Sequence, residues 1–371
     1  MDIDEVQSQH MILNALEDVG SATLRHLLVF FQEDFVSILT ASYDTLCSVP
    51  GVPKKVAERI ANWRKYFNLE REKEQLFTQN VRFLIEENAD FPPLLKNIDT
   101  PPIGLYAKGK GTLGAQKYIA IVGTRKPSIY GLKVAREIAL ELAKMGFVVV
   151  SGMALGIDTA AHEGALASGA NNATVAVLGS GIDVIYPREN APLYRKILDQ
   201  GTILSEFSFG KPANKMSFPI RNRVLAGICL HMLVIESDLH GGSMITAHLA
   251  NDYGRSVMAV PGRIDQPMGR GCHALIREGA TLVAGIDHVL EELNCPPSQV
   301  YFDFAAADTE AQALEDPVER QIVTHIRSQT SISPDDLADA LDMPIYRLLP
   351  KLQLLELRQV IHRNIQGNYE C

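Results

Sequence analysis

The sequence predicts an α/β fold: a doubly wound, mostly parallel sheet with a smaller helical segment before it and another after it. Three observations lead there. Short β-branched runs alternate with helical patterns through the middle of the chain. The turns that follow several of those runs are rich in glycine. The two flanking segments lack the alternation. With 371 residues the chain is long enough for two or three domains, and at 46% hydrophobic it can bury a sizeable core.

Residues 1–75 read as short amphipathic helices separated by turns. Within them, Leu46-Cys-Ser-Val-Pro-Gly-Val-Pro-Lys-Lys-Val-Ala-Glu-Arg-Ile60 has the form of a helix-hairpin-helix, so the domain is expected to be of the helix-hairpin-helix or SAM-like kind. Gly51 would supply the tight turn, and Val56, Ala57 and Ile60 the apolar stripe. Such a hairpin can offer backbone amides to DNA phosphate, or it can serve only as a packing module. Residues 76–116 read as a connector, because Phe91-Pro-Pro-Leu-Leu and Thr100-Pro-Pro-Ile-Gly-Leu-Tyr are breakers rather than periodic segments.

Residues 117–295 hold the alternation itself: YIAIV, FVVV, TVAVL, TILS, HMLVIE, SVMAV and TLVAG, alternating with helical patterns. Parallel βαβ units and a Rossmann-like core follow from it. A polar, alanine-rich linker is expected at 296–314. Residues 315–371 then read as helix, helix-turn-helix and hairpin, the pattern of a winged helix. Its would-be recognition helix, Pro344 to Leu357, has Arg347 and Lys351 as interior cations, so a partner-docking or regulatory role is favoured over reading duplex DNA.

In an open parallel sheet, ligands bind beyond the carboxyl ends of the strands. Four strands should end there in small-residue loops: Gly123-Thr-Arg-Lys-Pro-Ser-Ile-Tyr-Gly131, Ser151-Gly-Met-Ala-Leu-Gly-Ile-Asp158, Gly179-Ser-Gly-Ile-Asp183 and His240-Gly-Gly-Ser-Met-Ile-Thr246. Glycines let N–H groups approach an anion, and each following helix adds its positive end. Anion binding is expected. None of the four is a GxGxxG fingerprint or a GxxxxGK[ST] loop, so no dinucleotide cofactor and no ATP hydrolysis are expected.

The net charge of −9 argues against coating nucleic acid through a general basic surface, so any such binding must rest on a local pocket. One stretch reverses the sign. Lys211-Pro-Ala-Asn-Lys-Met-Ser-Phe-Pro-Ile-Arg-Asn-Arg223 carries four cations and no acid, with Phe209 and Phe218 interleaved. Cations track phosphates, and an aromatic face stacks an unpaired base. Arg125, on the first loop, should point into the same cleft.

Two carboxylate arrangements need a reading. Asp158 and His162 lie four residues apart on one helix face, either as an acid/base or metal pair or, the favoured reading, as a cap with a local hydrogen bond. Glu206 and Glu236 fall at carboxyl strand ends, either as paired catalytic groups or, again favoured, as partners that hold Arg221 or Arg223. The five cysteines are scattered without CxxC spacing, which points to reduced thiols, no zinc site and a cytoplasmic setting. No apolar run is long enough to span a membrane, and the N-terminus does not read as a secretion signal.

Taken together, GTRKPSIYG, SGMALGIDTAAH, VLGSGIDVIYPREN, SEFSFG with FPIRNRVLAG, GGSMITAHLANDYGRSVMAVPG and GCHALIREGA resemble the DprA/Smf family of DNA-processing proteins, continuously over about 117–294. The resemblance implies a non-enzymatic protein that binds and protects single-stranded DNA and loads RecA during natural transformation, acting as a homodimer. The single-stranded DNA-binding protein SSB is a further candidate partner. By motif, the family's DNA contacts fall on Arg125, Lys215 and Phe218, with Arg221 and Asn222 beside them. Backbone contacts fall on Ser151, Gly152, Gly242 and Ser243, and Ser128 of the first loop joins the set. The dimer contact falls on His273 and Leu282. One departure is His240-Gly-Gly-Ser where Ser-Gly-Ser is expected in most relatives; Gly242-Ser243 is retained, so the anion pocket is expected to survive.

The competing class is an enzyme. Phosphoribohydrolases on related Rossmann-like sheets carry a PGGxGTxxE pattern, whose glutamate polarises the ribose. Here HGGSMITAH lacks both the leading proline and the following glutamate, which favours binding over catalysis.

Overall fold

The computed structural model describes residues 3–114, 116–295, 316–329, 331–357, 360–364 and 367–370. The chain divides into two compact units, Met1–Pro297 and Ser298–Cys371. The linker expected at 296–314 lies outside the described residues.

The larger unit is built on nine strands: β1 (Arg82–Leu84), β2 (Leu105–Gly109), β3 (Tyr118–Gly123), β4 (Val148–Ser151), β5 (Thr174–Leu178), β6 (Gly201–Ser205), β7 (His231–Ile235), β8 (Ser256–Ala259) and β9 (Thr281–Leu282). Their spatial order is β1-β2-β6-β5-β4-β3-β7-β8-β9. From β6 to β9 all neighbours are parallel, and the seven β-branched runs of the sequence supply these strands. Residues of β5 and β6 are buried throughout, as expected for strands covered on both faces.

The segment 76–116 is more than a connector. It contributes β1 and β2, which extend the sheet antiparallel beyond β6, with Tyr106 opposite Ser205 and Phe83 opposite Tyr106. Strands of three and five residues are too short to show a period, so only the Pro/Gly punctuation around them is visible in the sequence.

Helices cover the sheet: α8 (Ile129–Lys144), α9 (Ile157–Ala167), α10 (Ala191–Gln200), α11 (Ser217–Gly227), α12 (Gly242–Asp252), α13 (Arg270–Arg277) and α14 (Ile286–Glu292). Before the sheet come α1 (Glu5–Ala15), α2 (Ser21–Phe30), α3 (Phe35–Thr40), α4 (Tyr43–Ser48), α5 (Lys54–Ala61), α6 (Trp63–Tyr66) and α7 (Leu69–Thr78). Gly51 turns the chain between α4 and α5 at φ +82°, where a Cβ would stand 2.1 Å from His26 Nδ1. Leu13, Leu27, Ile38, Leu46 and Ile60 form a core of their own. Met11 and Leu76 instead join Phe83, Tyr106, Ala176 and Ile203 of the sheet. The first seven helices therefore pack into the same compact unit as the sheet.

The strand order fixes where a ligand can enter. After β3 the chain winds outward through β4, β5 and β6, then crosses back to place β7 on the other side of β3. The loops after β3 and β7 consequently diverge, and a crevice opens at that switch point.

The smaller unit comprises α15 (Pro317–Ser328), α16 (Pro334–Ala340), α17 (Ile345–Leu357) and a two-stranded hairpin, β10 (His362–Arg363) with β11 (Tyr369–Glu370). Ile322, Ile326, Leu337, Leu348, Leu352, Leu355 and Tyr369 make its core. Ser333 caps α16 by accepting from Asp336 N at 3.1 Å.

Candidate nucleic-acid interface

A groove of about 460 Å³ lies at the switch point. One side is the loop after β3, Gly123 to Lys126. The other is the first turn of α12 together with Ser237 and Asp238, and α11 contributes Phe218, Arg221, Asn222 and Leu225 between them. A smaller depression of about 70 Å³ adjoins it and shares Arg125, Ala154, Phe218 and Arg221; Gly152, Leu155, Gly179, Ser180, Tyr186, Pro187 and Ala213 complete its wall.

Several groups here have no hydrogen-bond partner among the described residues. The exposed Arg125 makes no hydrogen bond or ion pair among the described residues, and its guanidinium carbon stands 5.4 Å from the Phe218 ring centre. Tyr186 lies against the same ring at 5.7 Å and 43°. The helix α12 begins at Gly241 without a side-chain cap, and the amides of Gly242 and Ser243 have no acceptor among the described residues. Nothing stands within 4 Å of where a Gly242 Cβ would be, so the approach is open. Free amides and the helix dipole suit an anion there. Among the described residues Asn222 is engaged through its Oδ1, which accepts from Arg221 Nε at 3.0 Å, while its Nδ2 has no acceptor there. One edge of the sheet thus gathers a cation, an aromatic pair and unpaired donors.

Other expected contacts are engaged within the protein. Ser128 caps α8 by accepting from Gly131 N at 3.1 Å, while its own N–H and hydroxyl donate to Glu236. Ser151 is buried and its hydroxyl donates to Ile121 O at 2.7 Å. Gly152 N–H donates to Asp158 Oδ2 at 3.1 Å, and its carbonyl accepts from Arg221 Nη1 at 2.7 Å. A Cβ at Gly152 would sit 2.0 Å from that nitrogen, so the glycine makes room for the guanidinium. Arg221 is 6% exposed and also donates to Val177 O at 2.8 Å. It ties the end of β4 to β5, and among the described residues its Nη2 has no hydrogen-bond partner. Burial lowers the Arg221 pKa and Asp158 opposes that shift; burial likewise raises Asp158, with Arg221 opposing.

The basic stretch disperses. Lys211 pairs with Glu17 at 2.8 Å, holding Glu17 below the usual carboxylate range. Arg223 pairs with Glu206 and donates to Thr100 O. Lys215 stands on the exposed loop ahead of α11, outside the lining of both depressions. Phe209 packs edge-on against Tyr106 at 5.6 Å rather than entering the groove. Of the two glutamates, Glu206 does hold an arginine, whereas Glu236 holds Ser128 and so shapes the first loop.

Asp158 and His162 do not pair with each other. Asp158 accepts the amides of Gly152 and Ala154, bracing the loop ahead of its helix. His162 is fully buried: Thr174 Oγ1 donates to Val149 O, so it accepts from His162 Nδ1 at 2.7 Å, which fixes that nitrogen as protonated. Nε2 has no hydrogen-bond partner among the described residues, and burial pushes the His162 pKa down to about 3. Among the described residues no cluster of three or more His, Cys, Asp or Glu side chains is placed to hold a metal.

The residue that sequence reasoning missed is Tyr186. Its signal was a tyrosine-proline step three residues after Gly179-Ser-Gly-Ile-Asp183, the loop that the parallel sheet brings to the same edge. Ser237, whose hydroxyl meets that of Ser243 at 2.7 Å, and Thr246 also line the groove. At the β9 side of the sheet, His273 Nε2 meets Gly262 O at 2.8 Å and Leu282 is 44% exposed on the edge strand.

Comparison with known proteins locates the core. The family described as DNA recombination-mediator protein A matches residues 82–294. Protein Smf of Synechocystis is 35% identical over 295 residues, 78% of this chain and 73% of that protein. DNA processing protein DprA of Streptococcus pneumoniae is 41% identical over 202 residues, 54% of this chain and 71% of its own length. The X-ray structure of the same pneumococcal protein superposes with a TM-score of 0.66 at 30% identity, covering 79% of this chain and 99% of that one. A Helicobacter pylori DNA processing protein A, described for its unique single-stranded DNA binding mode, aligns at a TM-score of 0.51 and 31% identity over 57% of this chain and 96% of its own.

Proposed function

Because the chain belongs to the DNA recombination-mediator protein A family, we propose that it binds single-stranded DNA in the groove at the switch point of its sheet. The observation that carries this reading is the convergence there of Arg125, the Phe218–Tyr186 pair and the unpaired amides of Gly242 and Ser243. A phosphate would sit at the first turn of α12, Arg125 would take a neighbouring one, and an unpaired base would lie on Phe218. Recessed donors reach a bare strand more readily than a stiff duplex. The relatives support the substrate, since the Helicobacter protein is described by its single-stranded DNA binding.

The fuller role is RecA loading onto incoming DNA during natural transformation, in the cytoplasm, without turnover of a substrate and with SSB as a further partner. The smaller unit is read as a winged helix, and the first seven helices as a helix-hairpin-helix or SAM-like module. Two copies are expected to meet through His273 and Leu282, giving paired grooves and avidity. Leu282→Arg should shift sedimentation to monomer, and a wild-type profile would remove that interface.

Fluorescence anisotropy of labelled oligonucleotides over a salt series tests the central claim. The expected result is at least about tenfold preference for single strands, with affinity falling as salt rises. Equal affinity for duplex would overturn it. The rival nucleotide-cleaving reading would gain if the protein released free base from nucleoside monophosphates.

A further inference from the structure

The loops that carry the aromatic pair are tied to each other. Tyr186 belongs to the loop after β5, and Phe218 follows the loop after β6, residues 206–216. Gly181 N–H donates to Lys211 O at 2.8 Å, Gly210 N–H to Asp183 Oδ1 at 2.8 Å, and the Ser217 hydroxyl to Gly179 O. The two backbones run close: a Cβ at Gly181 would stand 2.5 Å from Ser208 O and 3.0 Å from Lys211 N. The 5.7 Å between the Tyr186 and Phe218 rings is therefore set by where the loop after β6 is held.

The first seven helices hold that loop from its other side. Asn14 Nδ2 donates to Glu206 O at 2.8 Å, and Lys211 Nζ pairs with Glu17. Glu72 of α7 accepts from Phe209 N at 3.2 Å with the same Oε1 that accepts from the Tyr106 hydroxyl at 2.7 Å. Two consecutive amides, Phe209 and Gly210, are thus each taken by a carboxylate, one from the helices and one from the loop after β5. These ties differ in weight. The Glu17 side chain is 60% exposed, and a solvated ion pair contributes little. Glu72 is 6% exposed, and a buried carboxylate costs desolvation that a leucine there would not. What distinguishes it is that one oxygen joins α7, β2 and the loop. Asp183 is exposed, so removing its carboxylate breaks the Gly210 bond without opening the core.

We propose that Glu72 and Asp183 are positioning residues for the base-stacking pair: through the Phe209 and Gly210 amides they fix the loop after β6, so the helical segment helps to set the seat of an unpaired base. This rests on the single-strand reading of the groove. The test uses the full-length protein and a labelled oligothymidine, with anisotropy for affinity and chemical denaturation for folding. Asp183→Ala and Glu72→Ala should each weaken binding about three- to tenfold. Asp183→Asn and Glu72→Gln keep an acceptor oxygen and should bind close to wild type. The slope of log affinity against log salt should not change, since the phosphate contacts of that reading lie on the β3–α12 side. In a Phe218→Ala background the two alanine variants should cost little further, because the ring they act through is gone. General loss of stability would weaken both backgrounds alike. The proposal is overturned if either alanine variant binds like wild type, if Asn and Gln are as poor as Ala, or if the losses persist without Phe218. Wild-type protein that binds no single strand would remove the groove reading itself; a binding wild type with equally binding variants removes only the positioning role.

Discussion

The two walls of the groove use similar residues to opposite ends. On the β4–β5 side, Arg221, Asp158, Gly152 and Asn222 Oδ1 satisfy one another, with little left over but Arg221 Nη2 and Asn222 Nδ2. On the β3–α12 side, Arg125, Gly242 N and Ser243 N have no partner among the described residues. An arginine on the first wall is architecture; an arginine on the second is available to a ligand. Residue type does not separate them. Burial and the location of carbonyl acceptors do.

That contrast makes Arg221→Ala the most damaging single change. It would strand two strand-end carbonyls and leave Asp158 buried without its countercharge, a loss of about 3 kcal/mol in stability. Chemical denaturation should show the midpoint falling. A variant as stable as wild type, defective only in DNA binding, would erase the distinction between the walls.

Arg125→Ala and Phe218→Ala probe the open wall. Each should cost roughly 1–3 kcal/mol of single-strand affinity, about ten- to a hundredfold, with the denaturation curve barely moved. Because Arg125 stacks over Phe218, the double variant should lose less than the sum of the two losses. Strict additivity would place them in separate contacts.

His162 tests the closed wall by pH. Its folded pKa of about 3 lies below the ordinary 6.5 because the ring is buried with Nε2 unpaired. The unfolded chain therefore binds a proton that the folded one refuses. Its contribution is fully present above pH 6.5 and is lost as pH falls toward 3, amounting to about 2 kcal/mol by pH 5. Replacing His162 with Gln should flatten that part of the stability profile. An unchanged acid limb would mean that other groups set it.

Much of this was legible in the sequence, and the reason is periodicity. The seven strands β3 to β9 were visible as β-branched runs, and the topology rule carried their loops to one edge. From that, Arg125 and Gly242-Ser243 could be assigned to one edge from the sequence; Phe218 was marked by the basic stretch it interrupts, and Asn222 only by the family resemblance. What could not be read was the inward commitment of Ser128, Ser151, Gly152 and Arg221, because a hydrogen bond between residues 69 apart in the chain leaves no local pattern. The connector failed for another reason: β1 and β2 are edge strands defined by their partner β6, and their own few residues announce only the breaks around them. Tyr186 was missed because its pairing with Phe218 joins different loops across the sheet edge.

Lys215 is the finest test of the comparison, and the smallest effect. It belongs to the same basic stretch as Arg221 and Arg223, yet the structure leaves it exposed on the loop while its neighbours turn inward. Neither a buried clamp nor a groove wall, it can act on a strand only as a flexible point charge at the mouth. Lys215→Ala should therefore weaken single-strand binding by about 0.5–1 kcal/mol, less than Arg125→Ala. It should also reduce the slope of log affinity against log salt by somewhat under one unit, as expected when one phosphate contact is lost. The stability curve should not move. A loss as large as that of Arg125→Ala would mean that the loop ahead of α11 folds over the bound strand, and the open wall would then have a third side that the free protein does not display.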